Sequence, residues 1–179
     1  VHNYTITEDI TPADVRIVPV AQLYTYPYPG VYEDDQATWK YTSLKQEKLC
    51  LAKNLYFEAR NQPIKGQIAV ALVTINRVKS SKYPNNICDV VWQHKKNTSG
   101  KEVAQFSWTL DGKADIPKDG TAWTEAYELS DTFLSEGSLN NFYDFTNGAM
   151  YYHALYVSPD WSKTMIRVVT IGDHAFYNN

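Results

Sequence analysis

The stretch KNLYFEARNQPIKGQIAVALVTINRV, residues 53–78, reads as two helices meeting at a proline. The first is announced upstream by TSLKQEKLC, where Ser43 as N-cap and Gln46 three residues later form a capping box. Leu44, Leu51 and Leu55 then recur at helical spacing, so this helix has a face to bury. Pro63 suits the N1 position of the second helix, where a missing N–H costs nothing. Ile64, Ile68, Leu72 and Ile75, flanked by Ala69, Ala71 and Val78, make the stripe of a buried helix that ends near Lys79-Ser80.

Glu58 stands out against this pattern. On a helical wheel it falls within about 60° of Leu44, Leu51 and Leu55, away from the solvent face of Glu47 and Lys53. It also occupies the last turn, where the helix macrodipole disfavours negative charge. Desolvation and the dipole both favour the protonated carboxyl. A carboxyl that keeps its proton near neutral pH is what general-acid chemistry requires. The structural alternative is a carboxylate paired with Arg60 or a buried tyrosine.

Away from this pair of helices the pattern weakens and then changes. Residues 1–41 carry Pro12, Pro19, Pro27 and Pro29, including YTYPYPG at Tyr24–Gly30, and read as an extended Tyr/Pro-rich arm. Tyr83-Pro84-Asn85-Asn86 is a turn, Gln93 to Lys101 a polar loop, and QFSWT precedes a turn at Asp111-Gly112. TAWTEAYELSDTFLSEG is a third helix, with Ala122, Ala126, Leu129 and Phe133 on one face and closure at Gly137. MIRVVTIGDHAFY is β-branched and reads as a hairpin turning at Gly172-Asp173. The fold class is α+β, mainly α: one domain over residues 42–179, the one that carries Glu58, with a small β-hairpin near its C-terminal end.

Composition bounds the function. A chain of 179 residues can bury a sizeable core, and 44% of its residues are hydrophobic. The formal net charge of -3 argues against nucleic acid and against a polybasic membrane role. Fourteen tyrosines and five tryptophans suit sugar binding as well as core packing. Cys50 and Cys88 lie outside any C-x-x-C; with Cys50 in a helix and Cys88 in a loop they read as free thiols, a disulfide being the alternative. His94, His153 and His174 lack the spacing of metal ligands, so neither a metal nor another cofactor is expected. No apolar run would span a bilayer. No apolar stretch follows a basic start, so first residence in the cytoplasm is expected. The start at Val1 leaves excision from a longer protein open.

CLAKNLYFEARNQPIKGQIAVALVTINRV resembles the opening motif of the cell-wall hydrolase family typified by spore cortex-lytic enzymes. That family's pattern is Y-x-E-A-R, a P-x-x-G-Q turn, then A-V-x-x-V-x-x-N-R-V. Tyr56, Glu58, Ala59, Arg60, Gly66, Gln67, Ala69, Val70, Val73, Asn76, Arg77 and Val78 match it. QFSWT with Asp111-Gly112, YYHALYVSPDW at Tyr151–Trp161 and IGDHAFY at Ile171–Tyr177 match later motifs in order. The resemblance spans roughly Ser43 to Tyr177 and leaves out the Tyr/Pro-rich arm.

The resemblance implies a lysozyme-like, lytic-transglycosylase-like fold and a glutamate-dependent enzyme. Its substrate would be the peptidoglycan glycan strand, cut between N-acetylmuramic acid and N-acetylglucosamine. Glu58 matches the catalytic glutamate. Gln105, Ser107 and Trp108 match the Q-F-S-W run, read either as sugar contacts or as packing. Tyr151, Tyr152 and His153 follow Asn147-Gly148; Tyr152 is placed to hold the Glu58 carboxyl or a sugar N-acetyl group, and His153 reads more readily as structural. Candidates for the second carboxylate of a hydrolase are Asp111, Asp115, Glu125, Asp144 and Asp160, none singled out by spacing. The expected setting is a monomeric phage endolysin, held in the cytoplasm until release to the wall, with a virion-borne lysin as the alternative. The rivals are a muramidase using water, a wall amidase or peptidase, and an idle wall-binding or virion protein on the same fold.

Overall fold

A computed structural model describes residues 36–135 and 143–179, with side chains from residue 44 onward. Residues 1–35 of the expected arm, and the expected closure of the third helix at Gly137, lie outside the described residues. The described elements are α1 (Gln36–Ala59), α2 (Ile64–Lys79), α3 (Ile87–Val91), β1 (His94–Lys96), β2 (Glu102–Ala104), α4 (Gly120–Leu134), β3 (Tyr151–Ala154), β4 (Ile166–Ile171) and β5 (His174–Asn178). Two single turns of 3-10 helix, Ser107–Leu110 and Asp160–Lys163, sit in the connections.

The helix break at Pro63 is where the sequence puts it. Pro63 is the N-cap of α2 rather than its first residue; its carbonyl accepts from the N–H groups of Gly66 (2.7 Å) and Gln67 (3.1 Å). The stripe of α2 is buried as expected, with Ile68, Leu72 and Ile75 nearly inaccessible. In α1, Leu51 and Leu55 are fully buried but Leu44 is 36% exposed. The helix begins at Gln36, so Ser43 is inside it and does not cap it. Glu47 is not a solvent-face charge either. Its carboxylate accepts from the backbone N–H groups of Ile87 and Cys88, an anion at the start of α3.

Cys88 belongs to α3, not to a loop, and it is not a free thiol. It forms a disulfide with Cys50, whose Cα lies 5.2 Å away. The reading of two free thiols is overturned because α1 packs on α3, which a 38-residue separation concealed. The bond fastens α3 to the middle of α1. α1 also packs on α4 and α2, and an ion pair of Lys48 with Asp131 joins α1 to α4.

The C-terminal hairpin forms as expected. β4 and β5 pair antiparallel, with Ile171 opposite His174, and Gly172 takes a φ of 55° in the turn. β5 is the central strand of a three-stranded sheet in the order β3-β5-β4. β3 sets Tyr152 opposite Phe176 and His153 opposite Ala175. The polar loop from Gln93 instead contains a small hairpin, β1–β2, with His94 opposite Ala104. The QFSWT stretch ends in a 3-10 turn whose Trp108 donates from Nε1 to Asn54 Oδ1 at 3.1 Å. α2 is tied to the turn before β3 through Asn76, which donates to Ala149 O (3.2 Å) and Asp144 Oδ2 (2.9 Å).

Candidate active site

Glu58 is in the last turn of α1, and α1 ends one residue later. Its side chain lines a cleft of about 820 Å³, together with Tyr56, Arg77, Gln105, Tyr152 and His174 among others. Tyr152, on β3, donates its hydroxyl to Glu58 Oε2 at 2.7 Å. The Tyr152 ring is fixed from two sides, edge-on to His174 at 5.2 Å and against Phe176 at 5.6 Å. A strand and a helix end far apart in sequence thus meet at one carboxyl.

Burial pushes the Glu58 carboxyl above its ordinary pKa, and the hydrogen bond from Tyr152 and the positive charge of Arg77 act against that rise. The rise prevails, so the proton is held to a higher pH than on an exposed glutamate. Tyr152 is driven well above its ordinary value, by burial first and by Glu58 second. It therefore stays a hydrogen-bond donor throughout the pH range in which Glu58 titrates.

The other expected site residues divide. Gln105 and Ser107 line the cleft, as do Tyr152 and His153. Trp108 also lines the cleft but is only 6% exposed. Its ring stacks on Phe57 at 4.7 Å and meets Trp92 at 5.1 Å. With its N–H given to Asn54, its geometry is that of packing rather than of an open sugar platform. Tyr151 is outside the cleft, with its ring against Trp161 at 5.9 Å. Strand alternation turns Tyr151 and His153 to the side opposite Tyr152, where both rings meet Trp161; of these two only His153 also reaches the cleft.

His153 has both ring nitrogens engaged. Nδ1 is 2.9 Å from the Ala154 carbonyl, so it carries the proton, and Nε2 accepts from the Tyr177 hydroxyl at 2.9 Å. That is a satisfied structural histidine at the edge of the cleft. Tyr56 also supports rather than reacts: its hydroxyl accepts from the N–H groups of Lys118 (3.0 Å) and Asp119 (2.9 Å), which anchors the start of α4. Arg60 lies over the Tyr56 ring at 4.9 Å.

Among the cleft residues that escaped the sequence reading as site members, two are buried and ionisable. Arg77 is 4% exposed and His174 is 7% exposed, yet both line the cleft beside Tyr152. Arg77 was readable only as part of a helix motif, and His174 only as a metal candidate. Their place beside Glu58 depends on α2, β3 and β5 converging, and no local spacing reports that.

Residues 61–177 match the family model described as Cell Wall Hydrolase. The chain belongs to the cell wall hydrolase family. Arg77, Gln105, Ser107, Tyr152 and His174 fall inside the matched residues, and Glu58 stands just ahead of them. The chain is 31% identical over 135 residues to the spore cortex-lytic enzyme of Halalkalibacterium halodurans, covering 72% of this chain and 33% of that protein. It is 29% identical over 131 residues to the spore cortex-lytic enzyme of Bacillus cereus, covering 70% of this chain and 42% of that one. The chain thus spans between a third and a half of these relatives' lengths.

Solved structures of this family share the fold. The catalytic domain of the germination-specific lytic transglycosylase SleB from Bacillus anthracis superposes with a TM-score of 0.56 at 27% identity, covering 75% of this chain and 95% of that domain. The catalytic domain of SleB from Bacillus cereus gives 0.52 at 27% identity, over 74% of this chain and 91% of the other. The cell wall hydrolase fold here is α+β and mainly helical, as read from the sequence.

Of the five candidate second carboxylates, Asp111 and Asp115 line the cleft. Asp111 is engaged by the backbone N–H of Lys113 at 2.9 Å and by its ammonium at 3.6 Å. The others have different work or stand elsewhere. Asp144 accepts from Asn76, Thr146 and Gly148 in the turn before β3. Asp160 pairs with Lys163 on the surface, and Glu125 is exposed on α4. No helix among the described residues is long and apolar enough to cross a membrane, and none of their His, Cys, Asp and Glu side chains cluster in threes fit to hold a metal.

Proposed function

We propose that this protein cleaves the β-1,4 bond between N-acetylmuramic acid and N-acetylglucosamine in peptidoglycan by lytic transglycosylation, with Glu58 as acid and then base. The observation that carries the reading is the Glu58 carboxyl, held in an open cleft with its proton favoured by burial and its Oε2 bound by Tyr152. Family membership and the lytic transglycosylase structures supply the substrate class.

The steps balance on one carboxyl. Neutral Glu58 gives its proton to the glycosidic oxygen as the bond from C1 to that oxygen breaks. The positive charge on the sugar is met by the N-acetyl group of the muramic residue. The Glu58 carboxylate then takes the proton from the same sugar's C6 hydroxyl, whose oxygen bonds to C1 and closes a 1,6-anhydro ring. No water is consumed, and Glu58 ends protonated for the next cycle.

The second reading is hydrolysis of the same bond, and Asp111 and Asp115 on the cleft wall give it a structural basis. An inverting or retaining glycosidase needs a second carboxylate. Mass spectrometry of soluble products from purified peptidoglycan separates the two. Transglycosylation yields 1,6-anhydromuramic ends that vanish with Glu58→Gln and persist with Asp111→Asn and Asp115→Asn. Reducing muramic ends, lost with either aspartate variant, would overturn it in favour of hydrolysis. Equal product from Glu58→Gln and the wild type would remove Glu58 from the mechanism. The Cys50–Cys88 disulfide favours an oxidising working compartment outside the cytosol.

A further inference from the structure

Arg77 is the least explained residue beside the cleft. It projects from α2, is 4% exposed, and lines the cleft with Glu58 and Tyr152. Its Nε donates to the Met150 carbonyl at 2.8 Å, immediately before β3. Its guanidinium lies over the Phe106 ring at 4.9 Å and over the Tyr83 ring at 5.5 Å. These contacts fix the plane of the group, but they leave Nη1 buried and with no hydrogen-bond partner among the described residues. An unpaired buried donor on a cation is among the costlier features a fold can retain. No ion pair of Arg77 with a carboxylate is formed within 4.0 Å among the described residues.

We propose that Arg77 is a positioning residue for Glu58: a fixed, buried cation whose partner is the negative charge that Glu58 acquires only after it gives its proton to the substrate. The proposal rests on Glu58 being the acid. Before proton transfer the carboxyl is neutral and attracts the guanidinium weakly. After transfer a carboxylate stands in a site of low polarity, and a preset cation stabilises it without having to move. The interaction is thus stronger during the reaction than before it, which is the condition for helping a rate rather than only binding. Burial is not the only influence on the Glu58 proton. Arg77 and the Tyr152 hydroxyl both oppose burial there.

Several other groups face Glu58 or its cleft. These are Tyr152 and His153 on β3, His174 on β5, Tyr56 on α1, Arg60 just after α1, and Asp111, Lys113, Asp115 and Lys118 on the connection before α4. Of these, only Tyr152 joins Arg77 as a cause of the Glu58 shift besides burial. Tyr83, pushed up to about 12 by burial first, remains neutral beside Arg77 and cannot serve as its counterion.

The test is the Glu58 titration, followed by carbon-detected NMR of the side-chain carboxyl, together with the pH profile of kcat. The variants are Arg77→Met, which keeps an unbranched stem between the two rings, Arg77→Gln and Arg77→Lys. Removal of the charge raises the Glu58 midpoint and carries the basic limb of kcat to higher pH, while KM stays within about twofold because Arg77 shows the cleft only 4% of its surface. Arg77→Lys, a shorter point charge, falls between wild type and Arg77→Met. A wild-type midpoint in folded Arg77→Met or Arg77→Gln overturns the proposal. If neither folds, a wild-type midpoint in Arg77→Lys does so. The NMR midpoint needs no turnover. Failure of Glu58 as the catalytic acid would show separately, as activity retained by Glu58→Gln.

Discussion

A single hydroxyl opposes the burial that keeps the proton on Glu58. Tyr152 donates to Oε2 at 2.7 Å, and a donor to a carboxyl oxygen favours the ionised form. Its loss has two consequences with definite signs. In Tyr152→Phe the Glu58 pKa rises further, so kcat, which requires the protonated acid, holds to higher pH before it falls. The carboxylate formed after proton transfer also loses a charge-assisted bond of roughly 1.5–3 kcal/mol. The optimum kcat should therefore drop by about 10- to 100-fold. A pH–rate profile of Tyr152→Phe on soluble glycan checks both. An unmoved basic limb would mean that Glu58 is not the group titrating. At the same scale, Glu58→Gln removes the acid itself, and a loss of at least about 10²-fold is expected in product release. Glu58 was legible from the sequence because the wheel that buries Leu51 and Leu55 carries it along. Arg77 was not, because a lone arginine on an apolar helix looks the same whether it meets solvent or a distant carboxyl.

The elements around the site are held by buried polar threads. Trp108 donates to Asn54, Asn54 donates to Thr74 at 3.2 Å, and Thr74 donates to the Val70 carbonyl at 3.2 Å. This thread ties the turn after β2 to α1 and α2, and so fixes the wall that presents Gln105 and Ser107. Asn54 is fully buried. Trp108→Phe would leave its carbonyl oxygen without a donor, at a cost of about 1–3 kcal/mol. Urea unfolding should show the midpoint fall with an unchanged m-value; an unchanged midpoint would mean that water reaches Asn54. A second fastening joins the hairpin to the helix break. Gln62 accepts from the Asp173 N–H at 2.9 Å, and a Cβ at Gly172 would come within 2.4 Å of Gln62 Oε1 at a φ of +55°. Gly172→Ala is therefore strained by its φ and displaces the Gln62 amide that holds the turn, and hydrogen exchange in β4 and β5 should rise ahead of exchange in α2. The hairpin itself was readable, since β-branched residues flank a Gly-Asp turn. β3 was not, because its four residues acquire strand character only by pairing with β5. Nor was the β1–β2 hairpin, whose short strands lie in a polar stretch without alternation.

At the scale of the whole molecule, the disulfide and the titrating carboxyls decide where the fold is strong. The bond from Cys50 to Cys88 closes a loop with a sequence separation of 38. Loop closure on that length limits the unfolded chain by about 4 kcal/mol. Cys50 is two helical turns, about 12 Å, from Glu58. Reduction, or the double variant Cys50→Ala with Cys88→Ala, should lower Tm by several degrees while leaving kcat at 25 °C near wild type. Lost activity at full folding would show that the α1–α3 contact positions the site. The carboxyls act with opposite signs. At Asp144 burial raises the pKa, but hydrogen bonds from Thr146, Asn76 and Gly148 outweigh it and hold the group below its ordinary value. Its contribution to stability is present above the unfolded pKa and is lost as pH falls through the folded one. Glu58 is the reverse. Its folded pKa is raised, so the native state binds the proton more tightly than the unfolded chain does. Stability is greatest below the unfolded value and is given up as pH rises through the folded pKa. Glu58→Gln, which never ionises but can still accept from Tyr152, should therefore melt higher than wild type at neutral pH. Below about pH 4 the two should converge, because the wild-type carboxyl is then neutral in both states. Calorimetry of the pair across that range reads the outcome directly. Equal Tm at neutral pH would mean that the carboxyl is already ionised without penalty, and a Glu58 so relaxed could not hold the proton that glycan cleavage requires.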